Sequence, residues 1–149
     1  MIIPWLCRVA PTSAVLAWMG LIFYLSSLSQ AEASRPLESP AVSWMGVLRS
    51  YMAHLVLYGV LASLAMASVW GWRSAGAVCR VRWAMVAATF ATLYGVSDEY
   101  HQSLVLGRSG SLADVLVNAF AAMGAAVGLC LMARWWRGRR ADLTRGPLP

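Results

Sequence analysis

Between two apolar segments the chain reads Tyr94-Gly-Val-Ser-Asp-Glu-Tyr-His-Gln-Ser-Leu-Val-Leu-Gly-Arg-Ser-Gly-Ser-Leu-Ala-Asp-Val-Leu-Val-Asn118. Three of the six acidic residues and one of the two histidines fall here, although the whole chain is 60% hydrophobic and only 12% charged. Soluble domains average about 25% charged residues, so the composition is typical of an integral membrane protein. Ionisable groups in membranes face protein or water and usually serve function, so these residues define a functional-site hypothesis.

Four apolar segments predict an all-α fold. We expect one domain over residues 1–149, a bundle of four transmembrane helices at residues 12–28, 53–72, 83–102 and 112–136. The third segment is apolar only over the fourteen residues from Trp83 to Val96. Such a helix is about 21 Å long, whereas the hydrocarbon core is about 30 Å thick. The helix must therefore continue to Gln102, which places its polar residues at or just inside the membrane boundary.

The first segment has two interpretations. Arg8, the apolar run and Ala31-Glu-Ala33 resemble a secretory signal with a cleavage site. The run is longer than a signal core of roughly 7–15 residues and contains aromatic residues, which favours a retained helix. In the loop that follows, Ser39-Pro40 is typical of a helix start, so a short interfacial helix is expected there.

The arginines indicate the orientation of the helices. All twelve basic residues are arginines, and with both termini in the cytoplasm nine lie on inner segments and three on outer ones. The positive-inside rule therefore favours an N-in/C-in bundle. Six of the eight tryptophans also fall at the inner boundary, as expected for an aromatic belt. Residues 137–149 are then a basic cytoplasmic tail, which we expect to be disordered.

With this orientation, polar residues from separate helices reach one depth near the outer leaflet. His54 lies near the outer end of the second helix, Asp98 to Gln102 end the third, and Asp114 and Asn118 begin the fourth. The inner halves of the helices are almost bare of such residues. Scattered loop polarity would not give this asymmetry, so we predict an extracytoplasmic polar pocket.

Helical spacing distributes these groups around the third helix. Asp98, His101 and Gln102 share one face, whereas Glu99 points about 100° away. One carboxylate can therefore face the bundle while the other faces the headgroups or pairs with Arg108. The predicted catalytic residues, for general acid–base chemistry, are Asp98, Glu99, His101 and His54.

The turn before the fourth helix is typical of an anion site. Gly107 and Gly110 permit close backbone approach, Arg108 offers a planar fork of donors, and a helix N-terminus attracts negative charge. The predicted substrate-binding residues are Arg108, Gln102, Asp114, Asn118, Ser111 and Tyr58.

Structural alternatives remain for several of these residues. Asp98 and Arg108 could form an ion pair that fixes the loop, and Asn118 could form a simple interhelical bond. Asp114 could complete a capping box with Ser111. The two histidines and a carboxylate could form a zinc site, but no motif spacing supports one, so neither a metal nor another cofactor is predicted.

These motifs resemble the VanZ-like family of bacterial integral membrane proteins. The matching segments lie within residues 23–128 and are Tyr24-Leu-Ser-Ser-Leu-Ser29, His54-xxx-Tyr58, Tyr94 to Gln102, and Gly107 to Asp114 with Asn118. The resemblance implies a small helical bundle in a bacterial envelope. The family's namesake is linked to teicoplanin resistance, which implies a role in glycopeptide resistance, but no biochemical activity is agreed for it.

The expected function is recognition of an anionic lipid or lipid-linked envelope precursor at the outer face of the bacterial cytoplasmic membrane. An enzymatic version would be an intramembrane hydrolase or transferase. The alternatives are a non-enzymatic accessory protein of the envelope and, less favoured because the inner halves of the helices lack polar residues, a small transporter subunit. No nucleic-acid partner is expected, because the distribution of the arginines is explained by the orientation of the helices in the membrane. Neither the substrate nor the oligomeric state follows from the residues.

Overall fold

A computed structural model of the chain describes residues 2–29, 31–32, 46–72 and 81–144. Four long α-helices lie within these ranges, and no strand does: α1 (Ile2–Ser27), α2 (Gly46–Trp72), α3 (Val81–Gln102) and α4 (Leu112–Thr144). The all-helical fold is therefore confirmed. The interfacial helix predicted near Ser39-Pro40 lies outside the described residues.

Three of the helices are longer than the predicted spans. Helix α1 begins at Ile2, α2 begins at Gly46, and α4 continues to Thr144 through much of the tail that we expected to be disordered. Cation–π contacts one turn apart help to explain the extension of α4. The guanidinium of Arg139 lies 4.4 Å from the Trp135 ring centroid, and Arg140 lies 5.9 Å from that of Trp136. Pairs at this spacing stabilise a helix.

Length and composition identify membrane-spanning helices. Arg8–Ser27, Leu48–Trp72 and Leu112–Arg140 are each long and apolar enough to cross a bilayer. Helix α3 has 22 residues but is less apolar, because Asp98, Glu99 and their polar neighbours occupy its last turns. The chain is therefore a membrane protein with at least three helices suited to spanning.

The helices pack through small side chains. Helix α4 packs against α2 and α3, and α1 packs mainly against α2. A row of small residues at helical spacing on α3, Ala87, Ala91 and Gly95, is buried in the bundle, which allows close approach of the backbones. Gly124 and Gly128 of α4 have the same spacing but make no close contact with another described helix, since a Cβ at either would meet no atom within 4 Å.

Gly95 lies where α2, α3 and α4 approach one another closely, near the polar end of the bundle. A Cβ added at Gly95 would lie 3.1 Å from Tyr58 Cε1 and 3.1 Å from Asn118 Nδ2. The position is therefore too crowded for a larger side chain. Because Gly95 has none, α2 and α4 can approach α3 closely, one turn before its carboxylates.

Gly95→Leu should lower the free energy of unfolding by about 1–3 kcal/mol, because an extra side chain in a filled interface forces its neighbours apart. Thermal unfolding of the purified protein in detergent measures this effect. Gly128→Leu is the matched control, since its side chain enters open space, and it should leave the transition within about 0.5 kcal/mol of wild type. Equal losses in both variants would contradict the assigned packing.

Candidate functional site

Buried polar side chains gather where α3 ends. They come from all four helices and are Ser26, His54, Asp98, Glu99, Gln102 and Asn118. Unpaired polar groups are costly away from water, so each of these side chains needs a partner. The structure thus brings together side chains that the sequence predicted at one depth, and we call them, with Arg108 and Asp114, the polar cluster.

Asp98 occupies the side of α3 that faces α1 and α2. The Tyr58 hydroxyl donates to Asp98 Oδ2 at 2.8 Å, and the Gln102 amide donates to the same oxygen at 2.9 Å. Gln102 Nε2 also lies 3.3 Å from Ser26 Oγ on α1. Because Gln102 lies one turn after Asp98 on the same face, this network follows from the helical spacing. It connects three helices through one buried carboxylate.

Arg108 joins this network through neutral oxygens. Its Nη2 donates to Gln102 Oε1 at 2.6 Å, and its Nη1 donates to the Leu25 carbonyl at 3.4 Å. The alternative ion pairs of Arg108 with Asp98 or Glu99 are therefore not formed, because the Gln102 amide bonds the guanidinium with its oxygen and Asp98 with its nitrogen. Sequence reasoning also missed Leu25, since no side-chain signal marks a backbone acceptor.

Glu99 lies on the other side of α3 and is buried as deeply as Asp98. The prediction that one carboxylate faces the headgroups is therefore wrong: Glu99 is 4% exposed. Its Oε2 accepts the Ser111 N–H at 3.0 Å, and its Oε1 lies 3.8 Å from His54 Nδ1. The two carboxylates point about 100° apart, but helices pack against both faces of α3.

Glu99 also completes the cap of α4. The Ser111 hydroxyl accepts the Asp114 N–H at 3.4 Å, which is the usual N-cap contact. In a capping box the acidic side chain three residues later bonds back to the N-cap N–H. Here Glu99 of α3 takes that bond instead of Asp114, so the Asp114 carboxylate is not used in the cap. Glu99 thereby fastens the end of α3 to the start of α4.

Two glycines shape the turn that brings Ser111 to Glu99. Gly107 has φ of 76°, a left-handed conformation that other residues adopt at a cost. A Cβ at Gly110 would lie 2.6 Å from the Glu99 carbonyl oxygen, so only glycine fits there. Gly110 therefore serves a close approach to the backbone of α3, whereas its predicted approach to an anion stays a prediction.

His54 and Asn118 connect α2 to α4. His54 Nδ1 lies 3.0 Å from Asn118 Oδ1, which corresponds to Nδ1–H donating to the amide oxygen. The His54 ring lies nearly parallel to Tyr58, with centroids 6.2 Å apart. Asn118 is fully buried. Its bond to His54 is the interhelical bond that the sequence offered as an alternative role for Asn118.

The side chain of His101, a residue of α3, packs against α1 rather than beside the carboxylates. Its ring stacks on Phe23 with centroids 4.6 Å apart, and its Nε2 lies 3.1 Å from Ser27 Oγ. Among the described residues, its polar contact is therefore with α1. The histidine in contact with a carboxylate of α3 is His54, so the predicted acid–base pairing of His101 with Asp98 or Glu99 has no support in the geometry.

The fold and the polar cluster define a class: a helical integral membrane protein with a buried ionisable site at one end of its bundle. The VanZ/LLP1 family profile matches residues 12–136, which include every residue of the cluster. The chain therefore belongs to the VanZ/LLP1 family, as its motifs indicated. No curated protein and no solved structure matches it.

Tyr58→Phe should destabilise the protein by about 1–2 kcal/mol, because it removes a hydrogen bond to a buried carboxylate without changing the shape of the ring. Thermal unfolding in detergent measures the loss. Tyr100→Phe is the matched control, since Tyr100 is 70% exposed, and it should have no measurable effect. A neutral Tyr58→Phe would contradict the hydrogen-bonded pair with Asp98.

Proposed function

We propose that this VanZ/LLP1 protein binds the anionic headgroup of a lipid or lipid-linked envelope precursor through Arg108. The supporting observation is that both hydrogen bonds of the guanidinium go to neutral oxygens, those of Gln102 and Leu25. Within the described chain no carboxylate neutralises this charge. A guanidinium carries five N–H donors in a planar fork suited to phosphate, so donors remain for a bound anion.

The surroundings of Arg108 favour a lipid over a free anion. Three leucines on and beside the turn, Leu104, Leu106 and Leu112, are 69%, 87% and 77% exposed. Exposed apolar groups around a cation fit the membrane interface, where acyl or prenyl chains cover the leucines and the headgroup meets the guanidinium. A water-soluble phosphate would leave these leucines uncovered.

The proposed location is the outer face of the bacterial cytoplasmic membrane. In this arrangement all four helices span the bilayer with both termini inside, as the distribution of nine inner and three outer arginines favours. Helix α3 has 22 residues and is therefore about 33 Å long, enough to cross despite its polar end. The arginine–tryptophan pairs near the end of α4 fit an anchor at the inner boundary.

Binding accounts for the site whether or not turnover follows. An enzymatic version, a hydrolase or transferase, would use Asp98 for acid–base chemistry at the bound headgroup, because Asp98 is the carboxylate on the Arg108 side of α3 and is linked to Arg108 through Gln102. A non-enzymatic envelope protein would hold the lipid without changing it. Retention of a lipid-linked precursor is also the route by which the protein would influence glycopeptide resistance.

Arg108→Ala should weaken binding of an anionic lipid by about 10- to 100-fold, the value expected for loss of charge-assisted hydrogen bonds of about 1.5–3 kcal/mol. Native mass spectrometry of the detergent-purified protein, titrated separately with phosphatidylglycerol, a polyprenyl phosphate and inorganic phosphate, measures the affinity and identifies which source is preferred. Arg108→Lys should give an intermediate loss, because it keeps the charge but not the fork.

Arg134→Ala, which removes an exposed arginine near the far end of α4, is the matched control and should bind as wild type. Equal binding by wild type and Arg108→Ala, in variants with normal thermal unfolding, would contradict the proposal. Analysis of the lipids recovered after incubation separates the two versions: a changed headgroup supports an enzyme, and intact lipid supports a binding protein.

A further inference from the structure

Three potential metal ligands meet on the α4 side of α3. His54 of α2, Glu99 of α3 and Asp114 of α4 each present a donor atom, and these three atoms lie within 4.8 Å of one another. His54 and Glu99 are buried, and Asp114 is half-buried at the start of its helix. Because each ligand comes from a different helix, no local sequence motif reveals the set.

A second, independent observation points to a ligand between them. Glu99 is 4% exposed, yet its Oε1 accepts no hydrogen bond from any described residue. This is the oxygen that faces His54 Nδ1, at 3.8 Å. A buried carboxylate oxygen without a donor is costly unless a positively charged partner compensates it. Arg108 does not do so, since its hydrogen bonds are with Gln102 and Leu25.

Asn118 adds a fourth atom that could bind the metal. Its Oδ1 lies 3.0 Å from His54 Nδ1, on the same side of α3. Zinc bonds of about 2.0–2.2 Å in a tetrahedron separate the ligand atoms by about 3.3–3.6 Å. The separations from Nδ1 to the Glu99 and Asn118 oxygens bracket that range, so small side-chain movements would close the shell.

The geometry points to a site for a divalent transition-metal cation, with Zn²⁺ and Mn²⁺ as the best matches, held by His54 Nδ1, Glu99, Asp114 and Asn118 Oδ1. One imidazole with two carboxylates suits these cations, whereas Ca²⁺ and Mg²⁺ prefer oxygen ligands alone. Two carboxylates also balance the charge of a divalent ion. For Nδ1 to bind the cation, the neutral His54 ring changes tautomer: the proton that Nδ1 otherwise donates to Asn118 Oδ1 is lost to water while Nε2 gains one, so the ring stays neutral.

This site differs from the zinc site that the sequence alone could suggest, in which both histidines would be ligands. His101 stacks on Phe23 of α1 and is not part of the new set. The inference goes beyond lipid binding and does not rest on it, because the metal ligands and Arg108 lie on different sides of α3. With a cation bound, His54 and Glu99 are ligands rather than an acid–base pair.

The test is metal binding by the full chain, purified in detergent without a polyhistidine tag and stripped with a chelator. Isothermal titration with Zn²⁺ and Mn²⁺ should give one site per chain, and the bound metal should raise the unfolding temperature. Mg²⁺ at the same concentration should do neither. Two conservative variants, Glu99→Gln and Asp114→Asn, should each weaken metal binding at least about 100-fold. Removing a residue that only orients a metal ligand already lowers metal affinity by about 10–100-fold, and these residues are ligands themselves.

The two histidines provide a matched pair of variants. His54→Gln should abolish the site, and His101→Gln should leave stoichiometry and affinity unchanged. Asp114 is half-buried and its side chain does not cap α4, so Asp114→Asn tests the site even if a buried variant does not fold. No saturable binding by wild type would overturn the inference. So would binding that survives His54→Gln and Asp114→Asn, which would identify an adventitious ion only.

Discussion

Two adjacent carboxylates buried at the end of one helix are the constraint on which the rest of this structure depends. Asp98 and Glu99 are consecutive, so helical geometry points them in different directions, and no single neighbouring helix can satisfy both. A buried carboxylate without partners is strongly destabilising in a protein interior and in a membrane. Every other helix therefore contributes to one side or the other of α3, and the positions of the helices relative to one another follow from that requirement.

The two sides are chemically different. On one side Asp98 Oδ2 accepts hydrogen bonds from the neutral donors of Tyr58 and Gln102, and Arg108 bonds to neutral oxygens. On the other side Glu99 holds the N-cap of α4 with one oxygen and faces His54 with the other. Within the described residues, the first side thus has a cation, Arg108, that no carboxylate neutralises. The second side has a buried carboxylate oxygen, Glu99 Oε1, that accepts no hydrogen bond. This division is why we assign anion binding and metal binding to separate sides of α3.

The depth of the polar residues could be predicted from the sequence, but their partners could not. A helix rises about 1.5 Å per residue, so the position of His54 or Asn118 along its helix determines its height. Partners depend on how the helices rotate and cross, which the sequence does not show. That is why the Asp98–Arg108 ion pair, considered as an alternative, is not formed, and why the capping contact, in which Glu99 of another helix accepts the Ser111 N–H, could not be recognised. The extension of α4 does not follow from the sequence, because an arginine-rich end is typical of a solvated tail.

We propose that the polar cluster lies at the extracytoplasmic end of the bundle, where a headgroup can reach it. The most direct test labels Leu106→Cys, in a chain whose three native cysteines are replaced by serine, with a membrane-impermeant maleimide. Gly138→Cys, near the far end of α4, is the reference position. The account predicts that residue 106 reacts in intact cells and residue 138 only after permeabilisation. The reverse pattern would place Arg108 in the cytoplasm and contradict the account.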